Sequence, residues 1–159
     1  MDTFAANLVT PARTLLEEQV QAVFLRTDVG DSAYMPGHTA LIGALVPGLV
    51  RFQHEDGTEE RAAVHGGFVQ VEGDHVTVLA PVAERAEEID VERARRALEV
   101  ATERIAELGG ARSGTGDGSE DPEADRDLAD AEAALRRAEV RLEVAGVGAA
   151  TSVVADRGA

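Results

Sequence analysis

The sequence of 159 residues contains no cysteine, no tryptophan and no lysine, and only 3% of its residues are aromatic. The absence of cysteine excludes disulfide bonds and thiolate chemistry, and it fits a reducing compartment. Because aromatic rings are so few, a core must be built from valine, leucine, isoleucine and alanine. Hydrophobic residues still make up 44% of the chain, which is enough for one packed domain with an extension. All fifteen basic residues are arginine, which we interpret as a compositional bias.

Positive charge and long apolar runs are also scarce. The formal net charge of -15 argues strongly against a nucleic-acid partner and against adhesion to an anionic membrane. The longest apolar run, residues 40–50, is interrupted by Gly43, Pro47 and Gly48 and is far shorter than the ~20 residues of a membrane span. The first residues carry no basic segment, so we expect no signal peptide. These features predict a soluble, acidic, cytoplasmic protein without direct membrane insertion.

The first half of the chain alternates between short apolar segments and turn signals. Residues 68–72 and 75–79 alternate cleanly around Gly73-Asp74, which predicts a β-hairpin. The run 34–45 lies between two Pro-Gly pairs and is expected to be a buried, irregular strand. Further strands are expected at 4–9, 14–18, 19–26, 49–53 and 58–64. Eight to ten short strands predict an antiparallel β-sandwich or barrel that ends near Val82.

The apolar period changes from two to three or four between Ala83 and Ala94, which predicts helices from there on. Asp90 is expected to cap a first helix that ends at Gly109-Gly110. Asp121 should cap a second helix that has Pro122 at its first position. The predicted apolar stripes are Ala94, Ala97, Leu98, Ala101, Ile105 and Leu108 on the first helix, and Leu128, Ala131, Leu135, Ala138 and Leu142 on the second.

The predicted fold class is therefore α+β, with an N-terminal antiparallel β-sandwich or barrel followed by an antiparallel two-helix hairpin. We assign residues 1–86 to the sandwich and 87–145 to the hairpin, with a flexible loop at 109–120. Residues 146–159 are expected to be a disordered tail. The hairpin stripes are rich in alanine, so the hairpin should be marginally stable alone and should dock or change state.

Local motifs give little sign of catalysis. The four histidines show no metal-ligand spacing, and no nucleophile elbow or Walker-type loop is present. His38, in the segment Met35-Pro36-Gly37-His38, is expected to be satisfied inside the sandwich. Gly66-Gly67 is expected to permit a bulge or a close approach of strands. We therefore predict a protein that catalyses nothing by itself.

Five motifs in one order resemble the epsilon subunit of the bacterial F-type ATP synthase. They are Val9-Thr10-Pro11, Met35-Pro36-Gly37-His38-Thr39, Val64-His65-Gly66-Gly67-Phe68-Val69, Val76-Thr77-Val78-Leu79-Ala80 and Glu84-Arg85-Ala86-Glu87-Glu88-Ile89-Asp90. The resemblance covers Leu8 to about Leu142. It implies a non-catalytic subunit of the central rotor stalk, peripheral on the cytoplasmic face of the cell membrane. The implied partners are the gamma subunit and the c-ring, and the alpha and beta subunits when the helices extend. The extended helices would oppose ATP hydrolysis.

The resemblance also implies ATP as a regulatory ligand, with no cofactor required. Some bacterial members bind ATP through a pattern that here reads Ile89-Asp90-Val91-Glu92-Arg93-Ala94. Glu84 before it, and Arg137 and Arg141 on the second helix, belong to the same implied site. Where such members can carry a further arginine on the first helix, this chain has Val100.

The residue types suit that ligand. Arg137 and Arg141 are four positions apart, so they project from one helical face and could grip phosphate oxygens, with Arg93 approaching the same phosphates. Glu84 and Asp90 are acceptors for an exocyclic amine or a ribose hydroxyl. Under the competing interpretation, Asp90 is only a helix cap, Arg93 pairs with a neighbouring glutamate and the other arginines form a solvated face.

Two other functions stay open from the residues alone. One is a free-standing sandwich with a coiled-coil adaptor arm that serves another assembly. The other is a small-molecule sensor that uses ATP as its signal.

Overall fold

The computed structural model describes residues 2–114 and 121–146, with side chains described for all of these except 111–114. Ten strands are followed by a short 3-10 turn and two helices. The strands are β1 Phe4–Val9, β2 Thr14–Val20, β3 Ala22–Thr27, β4 Gly30–Tyr34, β5 Leu41–Leu45, β6 Gly48–Gln53, β7 Glu59–Val64, β8 Gly67–Glu72, β9 His75–Leu79 and β10 Ala83–Arg85. The 3-10 turn is Ala86–Glu88, and the helices are α1 Val91–Gly114 and α2 Pro122–Val144.

The strands form a single sheet that is nearly closed into a barrel. Its order is β10-β7-β6-β3-β5-β8-β9-β1-β2, with β4 added on β3. The two ends of this order, β2 and β10, lie against each other across a seam. Adjacent strands pair antiparallel except β1 and β9, which are parallel. The α+β class, with a barrel or sandwich before a helical hairpin, is thus confirmed.

The barrel interior is filled by the inward-facing residues of alternating strands. Phe4, Leu8, Phe52 and Val78 are at most 2% exposed, and they belong to one continuous apolar cluster. On β1 the buried and half-buried positions alternate without exception, as a strand with one face on the core requires. The predicted hairpin at 68–72 and 75–79 is confirmed by the pairing of β8 with β9.

Two predicted strand boundaries were wrong. The second strand continues to Val20, and the break falls at Gln21, whose backbone N–H donates to the Gln53 carbonyl oxygen. A further strand was missed between the predicted segments 19–26 and 34–45, where β4 begins at Gly30 and pairs with β3. The strand β4 escaped prediction because its first residues are glycine, aspartate and serine, which give no apolar alternation.

Three predictions of burial and extent also failed. The run 34–45 contains a strand, but Ile42 on it is 74% exposed because one face of β5 points outward. His38 is half-buried at the surface, where its ring lies edge-on to Tyr34. The barrel does not end near Val82 either, since β10 adds Ala83–Arg85 along β7. The close approach expected at Gly66-Gly67 is confirmed, because a Cβ on Gly67 would collide with the Leu79 carbonyl oxygen.

Helix α1 begins where the sequence predicts and ends later. The Asp90 carboxylate accepts a hydrogen bond from the Arg93 backbone N–H at 3.0 Å, which confirms the N-cap. The helix continues through Gly109 and Gly110 to Gly114, so the predicted end and the first part of the predicted loop 109–120 were wrong. Neither glycine adopts the positive φ that ends a helix, and each only lowers its stability by about 1 kcal/mol relative to alanine. Residues 115–120 of that loop lie outside the described residues.

Helix α2 follows its predicted cap and stripe. The Asp121 side chain accepts from the Glu123 backbone N–H, and Pro122 occupies the first turn. From the predicted stripe, Ala131, Ala138 and Leu142 are buried. The helix ends before Gly146, which has a φ of 77°. Residues 147–159 of the predicted tail lie outside the described residues.

The hairpin is docked on the barrel. Helices α1 and α2 lie side by side, and α2 also packs against β7 and β6. The docking contact is a small apolar cluster of Ala63, Val140 and Val144, to which Leu49 and Ile89 add partly buried side chains. Val140 and Val144 lie outside the predicted stripe, so α2 carries a second apolar face that the sequence pattern did not reveal. In the described part of the chain, no helix is both long and apolar enough to cross a membrane.

Candidate functional site

The strand β10 and the last turns of α2 bring two predicted site residues into contact. Glu84 pairs through its backbone with Ala63 of β7, and its carboxylate oxygen Oε2 accepts a hydrogen bond from Arg141 Nε at 2.6 Å. The two side chains are 30% and 28% exposed, so the ion pair is largely shielded from solvent. Since Glu84 lies on the barrel and Arg141 on α2, this ion pair fastens the hairpin to the barrel.

A third residue, which the sequence reasoning did not select, contacts the same carboxylate. His65 follows β7, and its Nε2 lies 3.3 Å from Glu84 Oε2. The His65 side chain is only 5% exposed, and its Nδ1 is buried without a hydrogen-bond partner among the described residues. We call Glu84, His65, Arg137 and Arg141 the junction site. His65 could have been selected only from the pairing of β7 with β10, which brings the residue after β7 close to Glu84. The strand β10 was not predicted.

The charges around His65 fix its protonation state. Burial lowers the pKa of His65 most strongly, and the nearby guanidinium groups of Arg141 and Arg137 lower it further. The hydrogen bond and the negative charge of Glu84 act in the opposite direction, and the net pKa lies below the ordinary value. His65 is therefore neutral at physiological pH. Because the Glu84 carboxylate only accepts hydrogen bonds, the proton of the neutral ring is on Nε2.

Arg137 lies one helical turn before Arg141 on the same face of α2. Its side chain is exposed and forms no ion pair with a described residue, although its charge acts on His65. The neighbouring Arg136 lines a different surface, a cleft of about 550 Å³ between α2 and the barrel. The junction site therefore contains two arginines, one paired with Glu84 and one available to an anion.

The remaining predicted residues occupy the start of α1. Ile89 packs into the docking cluster beside Val140 and Val144, and Ala94 is buried, with 3% of its surface exposed. Asp90 is occupied as the N-cap. Arg93 is exposed, and its guanidinium pairs with no glutamate in the described part of the chain, contrary to the competing interpretation. The beginning of α1 thus meets β10 and the second half of α2 at one place.

A second titratable cluster lies at the barrel seam. Ligand atoms of Glu18, His54 and Glu60 all lie within 4.8 Å of one another, which the spacing of the histidines did not suggest. Glu60 is already paired with Arg85 at 2.6 Å, and His54 lies 3.3 Å from Glu18. The Glu60–Arg85 pair joins the neighbouring strands β7 and β10, and the His54–Glu18 contact reaches across the seam to β2.

The outer surface of the sheet opposite the core carries exposed apolar side chains. Ile42 is 74% exposed, Phe68 56%, Val82 48% and Leu79 42%. The register places Phe68 beside Leu79 and beside Ala44, which shares the outer face of β5 with Ile42. We call Ile42, Phe68, Leu79 and Val82 the apolar face. Exposed apolar side chains of this size, with Phe68 and Leu79 side by side, are typical of a protein–protein interface.

Two family models match adjacent parts of this chain. The model for the beta-sandwich domain of the ATP synthase Delta/Epsilon chain matches residues 3–86, and the model for its long alpha-helix domain matches residues 87–146. An ATP synthase epsilon chain of Bacillus velezensis is 40% identical over 146 residues, covering 92% of this chain and 99% of the relative. An ATP synthase epsilon chain of Solibacter usitatus is 40% identical over 144 residues, covering 91% and 96%.

Solved structures show the same fold. A chain in the cryo-EM structure of the Euglena gracilis mitochondrial ATP synthase, which comprises OSCP, F1 and the c-ring, matches with a TM-score of 0.69. The two sequences are 26% identical, and the match covers 90% of this chain and 81% of that chain. A chain in the central stalk and c-ring of the Tetrahymena thermophila enzyme matches with a TM-score of 0.52 at 14% identity, over 89% of this chain and 95% of that one. The latter likeness concerns the fold alone.

Proposed function

This chain belongs to the ATP synthase delta/epsilon family, and from that premise we propose that it is the non-catalytic epsilon subunit of an F-type proton-translocating ATP synthase. In this role it forms part of the central rotor stalk and couples proton flow to ATP synthesis. One observation carries the proposal: the barrel and the helical hairpin both match epsilon-chain relatives, in order and over almost the whole chain. The location that follows is peripheral, on the cytoplasmic face of the membrane.

The apolar face is the surface that we assign to the gamma subunit of the stalk. Phe68 and Ile42 are large side chains more than half exposed, and a buried aromatic anchor is what a stable subunit contact requires. Because the hairpin covers β6 and β7, this face stays open while the helices are docked. The c-ring is a further proposed partner, and the alpha and beta subunits are proposed partners of extended helices.

Replacing Phe68 by aspartate tests the stalk assignment. A charge at the centre of the apolar face should weaken binding to the gamma subunit by at least about tenfold, since centrally buried aromatic anchors dominate binding energy. Val100→Asp is the matched control, because Val100 is 65% exposed on α1, outside the apolar face. Binding would be measured with the two purified subunits. Equal loss in both variants, or wild-type binding by the Phe68 variant, would contradict the assignment.

The junction site supports regulation by ATP. The bond between Arg141 and Glu84 uses Nε, so the terminal nitrogens of that guanidinium remain as phosphate donors, and Arg137 supplies a second fork. Glu84 and Asp90 are the proposed acceptors for the base or ribose, beside Ile89 and Ala94, and Arg93 is the third proposed phosphate donor. This set differs at one position from the ATP-binding pattern of the family that the sequence resembles. Val100 stands where such members can carry an arginine, and its side chain has no charge to attract phosphate.

A nucleotide at this site would join β10, the start of α1 and the second half of α2. Those elements meet only when the hairpin is docked. ATP would therefore stabilise the docked state by its difference in affinity for the two states. Extended helices would instead reach the alpha and beta subunits and oppose ATP hydrolysis, so low ATP would favour inhibition.

Calorimetric titration of the full chain with ATP tests this site. Arg137→Ala should weaken binding by roughly tenfold or more, because a charge-assisted contact to phosphate is lost. Arg136→Ala is the matched control, since Arg136 is its neighbour on α2 but lines the separate cleft. No heat of binding at millimolar ATP would reject the ATP site and leave the stalk assignment intact. Equal affinities of the two variants would refute the placement of the phosphates.

The adaptor function is a second candidate that the apolar face alone would also fit. It predicts that the chain binds no gamma-type subunit, so the experiment with Phe68→Asp separates the two candidates.

A further inference from the structure

His65 is the one member of the junction site that the proposed ATP site does not use. Its ring is buried against the Glu84 carboxylate, on the same oxygen that Arg141 occupies. Glu84 Oε2 therefore has two donors, one from the barrel and one from α2. A ligand that draws the Arg141 guanidinium toward itself would weaken the hydrogen bond from Arg141 to Glu84 Oε2. The contact of His65 with the same oxygen would persist.

We propose that His65 is a positioning residue of the nucleotide site that holds Glu84 in place and takes up a proton when ATP binds. The proposal rests on the proposed function, because it concerns the same site and the same ligand. It adds a dependence of nucleotide affinity on pH, which neither the resemblance nor the comparisons provide.

The charged groups facing His65 explain why binding and protonation are coupled. They are Glu84 on β10 and Arg137 and Arg141 on α2. Without nucleotide, the two guanidinium groups repel a proton on the ring, and burial disfavours it further, so the pKa of His65 is lowered. ATP phosphates beside Arg137 and Arg141 would offset that positive charge, while Glu84 would lose part of its counter-charge from Arg141. Both changes favour the imidazolium.

The proton has a defined place to go. Nε2 already carries one in its contact with Glu84, so the incoming proton binds Nδ1, the buried atom that has no hydrogen-bond partner among the described residues. The ring then carries a full positive charge, and its bond to Glu84 becomes charge-assisted, which strengthens it. His65 thereby offsets the part of the counter-charge that Arg141 no longer supplies to Glu84, and it keeps the carboxylate in position.

The sign of the pH dependence follows directly. The pKa of His65 is higher with nucleotide than without it, so the bound state carries more protons, and affinity rises as the pH falls. The effect develops as the pH falls through the pKa of the bound state, and it levels off below the lowered pKa of the free chain.

The experiment compares ATP affinity of the full chain at about pH 7.5 and about pH 6, in three forms. Between about pH 7.5 and about pH 6, the affinity of wild type should rise roughly three- to tenfold more than that of His65→Gln does, since one pKa unit corresponds to a factor of ten. Glutamine can still donate a hydrogen bond to Glu84 but cannot titrate in this range. The variant therefore separates the effect of the proton from that of the hydrogen bond. His75→Gln is the matched control, because His75 is exposed at the start of β9. ATP itself titrates in this range, but it does so equally in all three titrations.

Each outcome has a distinct meaning. If wild type binds ATP and His65→Gln shows the same pH dependence, the role of His65 is overturned and the ATP site stands. If wild type binds no ATP at either pH, the ATP site itself is rejected, and the role of His65 with it. The imidazole pKa of His65 in wild type, measured by NMR with and without ATP, is a second readout that needs no variant. A rise on adding ATP supports the proposal, and an unchanged or lowered value overturns it.

Discussion

The barrel and the helical hairpin are held together by different amounts of apolar contact. Inside the barrel, large side chains such as Phe4, Leu8 and Phe52 are almost wholly buried in one continuous cluster. Between the helices, the fully buried positions are mostly alanines, and the contact of the hairpin with the barrel depends on Ala63, Val140 and Val144. Since stabilisation follows the buried apolar area, the hairpin should detach while the barrel stays folded. The proposed regulation, in which the hairpin moves against a fixed barrel, needs this difference.

The polar contacts also differ between the barrel and its junction with the hairpin. The seam between β2 and the β10 end of the sheet is bridged by exposed or half-exposed pairs, including His54 with Glu18. The hairpin is linked to the barrel mainly at Glu84, through Arg141. A ligand with negative charge would compete for Arg141, so under the proposed function the weaker of the two regions is also the one that a nucleotide would control.

The largest expected effect comes from the barrel core. Phe52→Ala should lower the free energy of unfolding by about 3–5 kcal/mol, because it leaves a cavity at a fully buried position. Chemical denaturation of the full chain would measure this change. Val29→Ala, at a position 90% exposed, should change the stability by less than about 0.5 kcal/mol. A small effect at Phe52 would contradict the assignment of the main core to the barrel.

A smaller effect is expected from the docking contact. Val144→Ala removes two methyl groups from a fully buried position between α2 and the barrel, and it should destabilise docking by about 1.5–3 kcal/mol. Hydrogen exchange should then become faster in α2 and stay unchanged in β1 and β9. Val100→Ala, at an exposed position of α1, is the control and should leave both rates as they are. Faster exchange in the barrel strands as well would show that the two regions are not independent.

Local patterns predicted most of the barrel and the starts of both helices. Alternation over residues 68–79 and the caps at Asp90 and Asp121 depend on neighbours in sequence, and the structure confirms them. Some of the errors arise from contacts between distant segments. The strand β10 has only three residues, and it forms because β7 offers an edge 19 residues away along the chain.

The contacts of the candidate site also join distant segments, so local sequence patterns did not predict them. The contact of Glu84 with Arg141 joins residues 57 positions apart, and only the resemblance to a family placed them in one site. His65 could not be found without β10, because it faces Glu84 across a pairing that the sequence pattern does not show. Val144 was missed because it does not belong to the regular apolar stripe predicted for α2. Its partner Ala63 is on a strand of the barrel.

Native-state hydrogen exchange on the full chain, measured amide by amide with and without ATP, tests the central claim most directly. The difference in burial predicts that α2 amides open with a lower free energy than those of β1, β8 and β9. Added ATP should raise the opening free energy of α2 and leave the barrel strands unchanged. A single opening free energy shared by α2 and the barrel would contradict the claim that the hairpin is a separately releasable part.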